Sequence, residues 1–324
     1  MNITSQQTDP VHSPLSALPP KKIRELSKSL LLEQLELYYH ARPPAQIVES
    51  DYTLWRCAQT GLEFAWPMLP GNTAFYQWVS RFESYYPGIR WEYGEVRRLM
   101  EAKNPRDKQS LKILDVGCGK GDFLQELNFI PARNKFALDL NEAAVQACRQ
   151  QGFQAFCGTV ETATEAGFLK AAEFSVVTSF HCLEHVSQPV DFVRTLMRVA
   201  SPNGRVLVST PYSPMSFETD WFDIMNHPPH HMTRWNLDAY RRLADILGAK
   251  MRWFVPKSGP LRRALGVFRL KQYGPNCSVS RAKLLKDLTG RLPSFLRLYR
   301  KQMERTRTSP VGGADTILVE LTAA

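Results

Sequence analysis

Residues 113–127, ILDVGCGKGDFLQEL, constrain the fold of this chain more than any other stretch. Residues 113–116 predict a buried parallel strand, and apolar residues at helical spacing begin again at Phe123. Between them lie three glycines at alternate positions, which are Gly117, Gly119 and Gly121. A strand, a glycine-rich turn and a helix in this order are typical of an α/β domain that binds a nucleotide-like ligand. Glycine suits the turn because a side chain would block close approach of the backbone to the ligand.

The glycine spacing separates two classes of ligand. Dinucleotide-binding folds use G-x-G-x-x-G and place a pyrophosphate at the helix N-terminus. This chain has G-x-G-x-G, with Asp115 two positions before the first glycine. A carboxylate at that position would repel a pyrophosphate, whereas it suits a cationic ligand. The alternative that the sequence leaves open is a tight turn that binds no ligand.

The stretch resembles motif I of the class I S-adenosylmethionine (SAM)-dependent methyltransferases, and SAM carries a cationic sulfonium. Residues 230–235, HHMTRW, resemble a string in bacterial methyltransferases of cell-surface polysaccharide synthesis, and in looser form one in the ubiquinone type. The resemblance implies SAM as cofactor, with Asp115 beside its methionine end. It also implies that the turn itself lines the cofactor, through Gly117, Cys118, Gly119 and Gly121.

A second acidic residue follows at the spacing that a ribose contact needs. Residues 136–140, FALDL, predict a strand, and its Asp139 is placed to accept hydrogen bonds from ribose hydroxyls. Asn141 then predicts a helix N-cap, so simple helix capping is the alternative role for Asp139. By resemblance, the cofactor site also includes Leu140, Thr159, Val160, Ser179 and Phe180.

Apolar runs alternate with helical patterns along the rest of the core. They predict an α/β fold, a doubly wound, Rossmann-like seven-stranded sheet. The resemblance adds that the last strand is antiparallel. The remaining predicted strands cover residues 174–180, 204–210, 250–255 and 316–321, with helices over 189–200 and 237–247.

The chain divides into five parts by composition. Residues 1–20 predict a disordered tail, 21–105 an aromatic, helical N-terminal cap, and 106–255 the SAM-binding core. Residues 256–313 predict a basic helical insertion, and 314–324 supply the last core strand. Within the cap, helical periodicity covers 21–40, a hairpin turns near Gly61, and Tyr86 and Trp91 are candidates for acceptor contact.

The insert after the fifth strand, residues 211–235, carries the candidate catalytic histidines. Three alternatives are a proton-accepting base, a metal site, and a loop whose histidines bond the backbone. His231 and His230 are the first candidates for the base, followed by His185 after the fourth strand. No metal is expected, because the spacing matches no compact motif and Thr60 replaces the second cysteine of a C-x-x-C. The insert also holds His227, Asp220, Asp223 and Arg234.

Charge is concentrated in one segment. The net charge is +10, and residues 257–307 hold fourteen Lys or Arg against two acids, a local +12, so the remainder sums to −2. Such a segment fits peripheral contact with an anionic membrane or a phosphate-bearing substrate, or a helical bundle that packs its leucines on the core. Nucleic acid is disfavoured as the substrate, because residues 179–182 read SFHC where a base-modifying enzyme carries N-P-P-Y.

These observations predict O-methylation of a small molecule, a lipid or a saccharide. The alternative function is a catalytically silent SAM-binding scaffold that docks through its basic segment. Six cysteines without a paired framework, together with no apolar leader and no long apolar run, predict a cytoplasmic protein with optional peripheral membrane contact.

Overall fold

The computed structural model describes residues 11–82, 85, 88–101, 110–275 and 277–324. The N-terminal part is a small antiparallel sheet with helices, which supplies the predicted cap. Its elements are β1 (Lys21–Leu26), α1 (Lys28–Tyr39), β2 (Tyr52–Arg56), β3 (Glu63–Trp66), α2 (Thr73–Val79) and α3 (Trp91–Glu101). β2 and β3 form the predicted hairpin, and Gly61 in its turn has φ +70°.

The core is the predicted seven-stranded sheet. Its first half contains β4 (Ile113–Val116), α4 (Asp122–Glu126), β5 (Lys135–Asp139), α5 (Glu142–Gln150), β6 (Gln154–Cys157) and α6 (Val160–Glu165). Its second half contains β7 (Phe174–Phe180), α7 (Pro189–Val199), β8 (Ala200–Pro211), β9 (Thr233–Arg234), α8 (Leu237–Leu247) and β10 (Ala249–Phe254). The basic segment and the end of the chain add α9 (Pro260–Tyr273), α10 (Arg281–Gly290), α11 (Leu292–Thr308) and β11 (Thr316–Ala323).

The strand order in the large sheet is β10-β11-β8-β7-β4-β5-β6. β4 lies between β5 and β7 and is parallel to both, while β11 is antiparallel to β8 and β10. The prediction of a doubly wound sheet with an antiparallel last strand is therefore confirmed. Because parallel strands end at the same edge, the glycine turn, Asp139 and the loop after β7 share one side of the sheet.

The insert after β8 lies between the core and the cap. β9 belongs to this insert, and it extends the cap sheet by pairing with β3. Met232 joins all three parts: its N–H donates to the carbonyl of Glu184 at 2.7 Å, and its carbonyl accepts from the N–H of Ala65 at 2.8 Å. The insert therefore covers the carboxyl edge of the sheet, as its position in the sequence predicted.

Two predictions for the N-terminal region are wrong. Helical periodicity was expected over 21–40, but residues 21–26 form the strand β1 and the helix begins at Lys28, where Ser27 is its N-cap. The expected disordered tail, 1–20, is incorrect for its described part, because Leu15 is buried and its carbonyl accepts from Arg242. The first ten residues lie outside the described part of the chain.

The basic segment folds as three helices. Within it, α10 ends at Gly290, and Pro293 lies in the first turn of α11. Leu298 is buried with Phe268 and other apolar residues in a small separate cluster. The leucines thus partly pack as a bundle, while Leu285 remains 64% exposed. No helix in the described ranges combines the length and the apolar character needed to cross a membrane.

Candidate active site

The three glycines of the turn after β4 have different surroundings. All have positive φ, at +77° for Gly117, +52° for Gly119 and +84° for Gly121. A Cβ on Gly117 would lie 2.1 Å from the sulfur of Cys182, and one on Gly121 would lie 3.0 Å from the sulfur of Cys148. A Cβ on Gly119 would meet no atom of the described residues within 4 Å, its chain neighbours aside. Gly117 and Gly121 therefore allow close packing, whereas Gly119 leaves a bare backbone beside open space.

Asp139 joins the end of β5 to this turn. Its Oδ2 accepts from the N–H of Gly119 at 2.9 Å, and its Oδ1 accepts from the N–H of Asn141 at 2.9 Å. Asn141 itself caps α5 by accepting from Ala143. A carboxylate has about four acceptor positions, so two remain available after these bonds. The helix cap is therefore Asn141 rather than Asp139, and the spare acceptor positions of Asp139 leave its ribose-binding role as a prediction.

Asp115 lies beneath the turn and is 2% exposed. Thr178 on the neighbouring strand β7 donates its hydroxyl to Asp115 Oδ1 at 2.7 Å. Burial raises the pKa of the Asp115 carboxyl to about 7, and the charge of Asp139 acts in the same direction. The predicted acidic residue is therefore a buried carboxyl whose pKa lies near neutral pH.

The other predicted cofactor residues lie in varied environments. Leu140 follows Asp139 and is 76% exposed, so it borders the same open side. Thr159 caps α6 through its side chain, and the side chain of Val160 is buried in the core. Ser179 is fully buried, backbone included, so none of its atoms is exposed to a ligand. Phe180 packs on Phe123 and Tyr93, and Cys118 Sγ lies 3.8 Å from Cys148 Sγ below the turn.

The fold brings together His185, His230 and His231, the three predicted catalytic histidines. His185 follows β7, whereas the other two come from the insert, and the ring centroids are only 4.5 to 4.8 Å apart. Burial lowers the pKa of all three rings. They form one buried cluster of neutral imidazoles, which we call the histidine cluster.

Each ring of the histidine cluster is oriented through its Nδ1 atom. His185 Nδ1 lies 2.6 Å from the carbonyl of His230, and His230 Nδ1 lies 2.7 Å from the carbonyl of Met225. His231 Nδ1 lies 3.0 Å from Oδ1 of Asn226. Because each acceptor is an oxygen, Nδ1 carries the proton in all three rings and Nε2 carries the lone pair.

A second group beside the cluster was missed by the sequence interpretation. His181, with φ +54°, lies between two buried carboxylates, with Nε2 3.0 Å from Glu92 and Nδ1 3.3 Å from Glu184. Burial alone would lower the pKa of His181, but Glu184 and Glu92 outweigh it and raise the pKa. The available signal was the unusual pair of polar residues, HC, directly after an apolar strand.

The remaining candidates have structural roles in this geometry. His227 Nδ1 lies 2.6 Å from the carbonyl of Asp223, and burial lowers the pKa of His227 to about 3. Asp220 pairs with Lys271 of α9 and with Lys301 of α11, which ties the insert to the basic segment. Trp91 Nε1 donates to Thr316 at 2.8 Å. The other aromatic candidate, Tyr86, lies outside the described residues.

Comparisons with known proteins point to one kind of domain. A family model described as "Methyltransferase domain" matches residues 90–252. The chain is 33% identical over 108 residues to the mitochondrial ubiquinone biosynthesis O-methyltransferase of Schizosaccharomyces pombe, covering 31% of this chain and 37% of the relative. It is 32% identical over 119 residues to the ubiquinone biosynthesis O-methyltransferase of Nitrosococcus oceani, covering 35% and 49%. These matches thus span half or less of each curated relative.

Among solved structures, a SAM-dependent methyltransferase from Archaeoglobus fulgidus aligns with 71% of this chain and 93% of its own, at 15% identity and a TM-score of 0.43. A putative methyltransferase from Bacillus halodurans aligns with 72% of this chain and 98% of its own, at 17% identity and a TM-score of 0.43.

Proposed function

The chain belongs to the methyltransferase domain family, and from this premise we propose that it transfers a methyl group from SAM to a hydroxyl of its acceptor. The observation that carries this proposal is the position of the histidine cluster relative to the glycine turn. The turn follows β4 and the cluster contacts the loop after β7, so both lie at the carboxyl edge of two adjacent strands.

The residues of the turn fit SAM as the cofactor. The bare face of Gly119 offers backbone to a ligand, and the spare acceptor positions of Asp139 suit a ribose diol. Asp115 supplies a group that can carry negative charge near a cation. SAM, when bound, supplies a methyl group made electrophilic by the sulfonium.

The chain's own residues would then orient the acceptor and remove its proton. Holding two reactants in the correct geometry contributes about 7–11 kcal/mol to lowering the barrier. A positioned base adds about 10²- to 10⁴-fold when the attacking group is a hydroxyl. We assign proton acceptance to the Nε2 atoms of the histidine cluster, with His231 and His230 ahead of His185.

The surroundings of the cluster favour an apolar, ring-bearing acceptor. The rings of Phe75, Tyr76 and Tyr85 lie 5.9, 6.4 and 5.7 Å from the ring of His230. Aromatic side chains exclude water and stack on flat substrates. The curated relatives are O-methyltransferases of ubiquinone biosynthesis, so a lipid-like molecule with a ring hydroxyl is the first acceptor to test, before saccharides.

The direct test measures SAM binding and turnover by the full chain. We expect production of S-adenosylhomocysteine with ring-hydroxyl acceptors. In the variant Asp139→Ala, SAM affinity should fall about tenfold to a hundredfold, since hydrogen bonds to a charged group contribute about 1.5–3 kcal/mol. Titration calorimetry gives the affinity. The matched control Asp238→Ala removes an exposed carboxylate that pairs with Arg241 and should bind SAM normally.

Two outcomes would contradict different parts of the proposal. Unchanged SAM affinity in Asp139→Ala would show that the Asp139 carboxylate does not bind the cofactor. Normal SAM binding without turnover on phenols, quinols and glycans would instead favour the silent scaffold.

Asp115 predicts a pH dependence of SAM binding. With its pKa raised to about 7, this carboxyl is mostly protonated at pH 5, and a bound cation favours the ionised form. SAM affinity should therefore rise from pH 5 to 7, by at most about tenfold per pH unit, and level off above 7. Calorimetry across this range measures the slope.

Asp115→Asn is the matched variant for this prediction. It keeps an oxygen acceptor for Thr178, yet it cannot ionise, so its SAM affinity should be nearly independent of pH. An equal slope in the variant and the unmodified chain would show that another group is titrating.

A further inference from the structure

We propose that His185, His230 and His231 bind a divalent transition-metal ion of the Zn²⁺ class. One ring nitrogen can be chosen from each histidine, Nδ1 or Nε2, such that all three lie within 4.8 Å of one another. Zinc binds imidazole nitrogens at about 2.0–2.1 Å, which places tetrahedral donors about 3.4 Å apart. Small side-chain rotations of rings already in contact would reach that separation.

The orientation of the rings matches that of metal-binding histidines. Such histidines donate one ring N–H to a carbonyl or carboxylate, which fixes the tautomer and presents the other nitrogen to the ion. All three rings in the cluster have Nδ1 against an oxygen, two of them against backbone carbonyls. Asn226, the acceptor for His231, is itself held by a bond from its Nδ2 to Glu218 at 3.0 Å.

An independent observation comes from the carboxylate of Glu184. This residue is 1% exposed, and among the described residues neither of its side-chain oxygens accepts a hydrogen bond of good geometry, although His181 Nδ1 lies 3.3 Å from Oε1. Its Oε1 lies 4.0 Å from His231 Nε2, so the negative charge is directed at the histidine cluster. A buried carboxylate without hydrogen bonds costs several kcal/mol unless a positive charge compensates it. His181 compensates from one side, and a dication among the three histidines would compensate from the other.

A bound ion would occupy the ring-nitrogen lone pairs of the cluster, so the base role proposed above for the same atoms applies only to the metal-free chain. This inference revises the expectation of no metal, which considered spacing along the chain. His185 and His230 are 45 residues apart in sequence and meet only in the fold.

Three protein nitrogens leave a coordination position open for an oxygen ligand. A role for the ion in holding the acceptor's hydroxyl oxygen rests on the proposed function, whereas the metal site itself does not.

The test uses the full chain after dialysis against a chelator, with Zn²⁺ and Co²⁺ as probes. We expect one Zn²⁺ per chain by calorimetry, and a visible absorption spectrum of Co²⁺ bound to nitrogen ligands. His231→Gln and His185→Gln should each weaken Zn²⁺ binding at least tenfold, consistent with the loss of one ligand. The matched control is His40→Asn, at an exposed histidine with φ +53°, and it should bind Zn²⁺ as the unmodified chain does.

Several outcomes decide the proposal. Zn²⁺ affinity that is the same in His231→Gln and His40→Asn would overturn it. If the cluster variants fail to fold, the Co²⁺ spectrum of the unmodified chain still decides, and a spectrum unchanged from free Co²⁺ would overturn it. Asp139→Ala should keep full Zn²⁺ affinity, so failure of the SAM site is distinguishable from failure of the metal site. Equal turnover before and after chelation would overturn only the role in holding the acceptor.

Discussion

Gly119→Val should abolish SAM binding while the chain remains folded. The side chain would project into the open space beside the turn, where the ligand is proposed to approach the backbone. At φ +52°, a non-glycine residue costs about 1–2 kcal/mol, and a branched one somewhat more. This is smaller than the roughly 5–15 kcal/mol that stabilises a typical domain. Calorimetry should show at least a hundredfold loss of SAM affinity, and thermal unfolding should show a cooperative transition.

The matched control is Gly248→Val. Gly248 has φ +60°, and a Cβ there would also meet nothing within 4 Å, so the backbone cost is similar. It follows α8 and precedes β10, which places it at the amino edge of the sheet, away from the glycine turn. Gly248→Val should bind SAM normally. Equal loss of SAM binding in both variants would attribute the effect to backbone strain and would refute the intrusion argument.

The sequence predicted the glycine turn and its neighbours well because their signals are local. A buried strand, three glycines and an amphipathic helix are adjacent in the chain, and Asp139 follows at a spacing set by one βαβ unit. The sequence left open whether Asp139 caps the following helix or binds ribose. The structure gives the helix cap to Asn141, and Asp139 bonds Gly119 and Asn141 while keeping acceptor positions available for a ribose.

The errors lie where a partner distant in sequence decides the structure. β1 is an edge strand with five exposed residues, so its own sequence carries no alternating apolar pattern. Its pairing with β2 determines its conformation. Leu15 is buried, and its carbonyl is bound by Arg242, 227 residues later, which no tail composition reveals. Such contacts override local propensity.

The histidine cluster shows which features could be predicted from the sequence and which could not. Residue type and position after strands made His185, His230 and His231 the candidate bases, and the fold brings their rings together; their catalytic role stays a prediction. The folded insert places an oxygen beside each Nδ1. It also determines the surroundings of the Glu184 carboxylate, which lacks hydrogen bonds among the described residues. The chemistry that these residues favour could therefore be inferred only from their arrangement in space.

Arg234→Met should destabilise the chain by about 3–5 kcal/mol and loosen the insert from the cap. Arg234 is 9% exposed and pairs with Glu63 of the cap at 2.8 Å and with Glu218 of the insert. Removing Arg234 would leave two largely buried carboxylates without their shared positive charge. Removing one partner of a buried ion pair costs about 3–5 kcal/mol of stability. Urea unfolding at pH 7 measures the loss.

Arg56→Met provides the control, because Arg56 pairs with the same Glu63 through a side chain that is 54% exposed. A surface pair contributes about 0–1 kcal/mol, so this variant should unfold close to the unmodified chain. Equal losses in the two arginine variants would show that Glu63 and Glu218 do not depend on the buried cation.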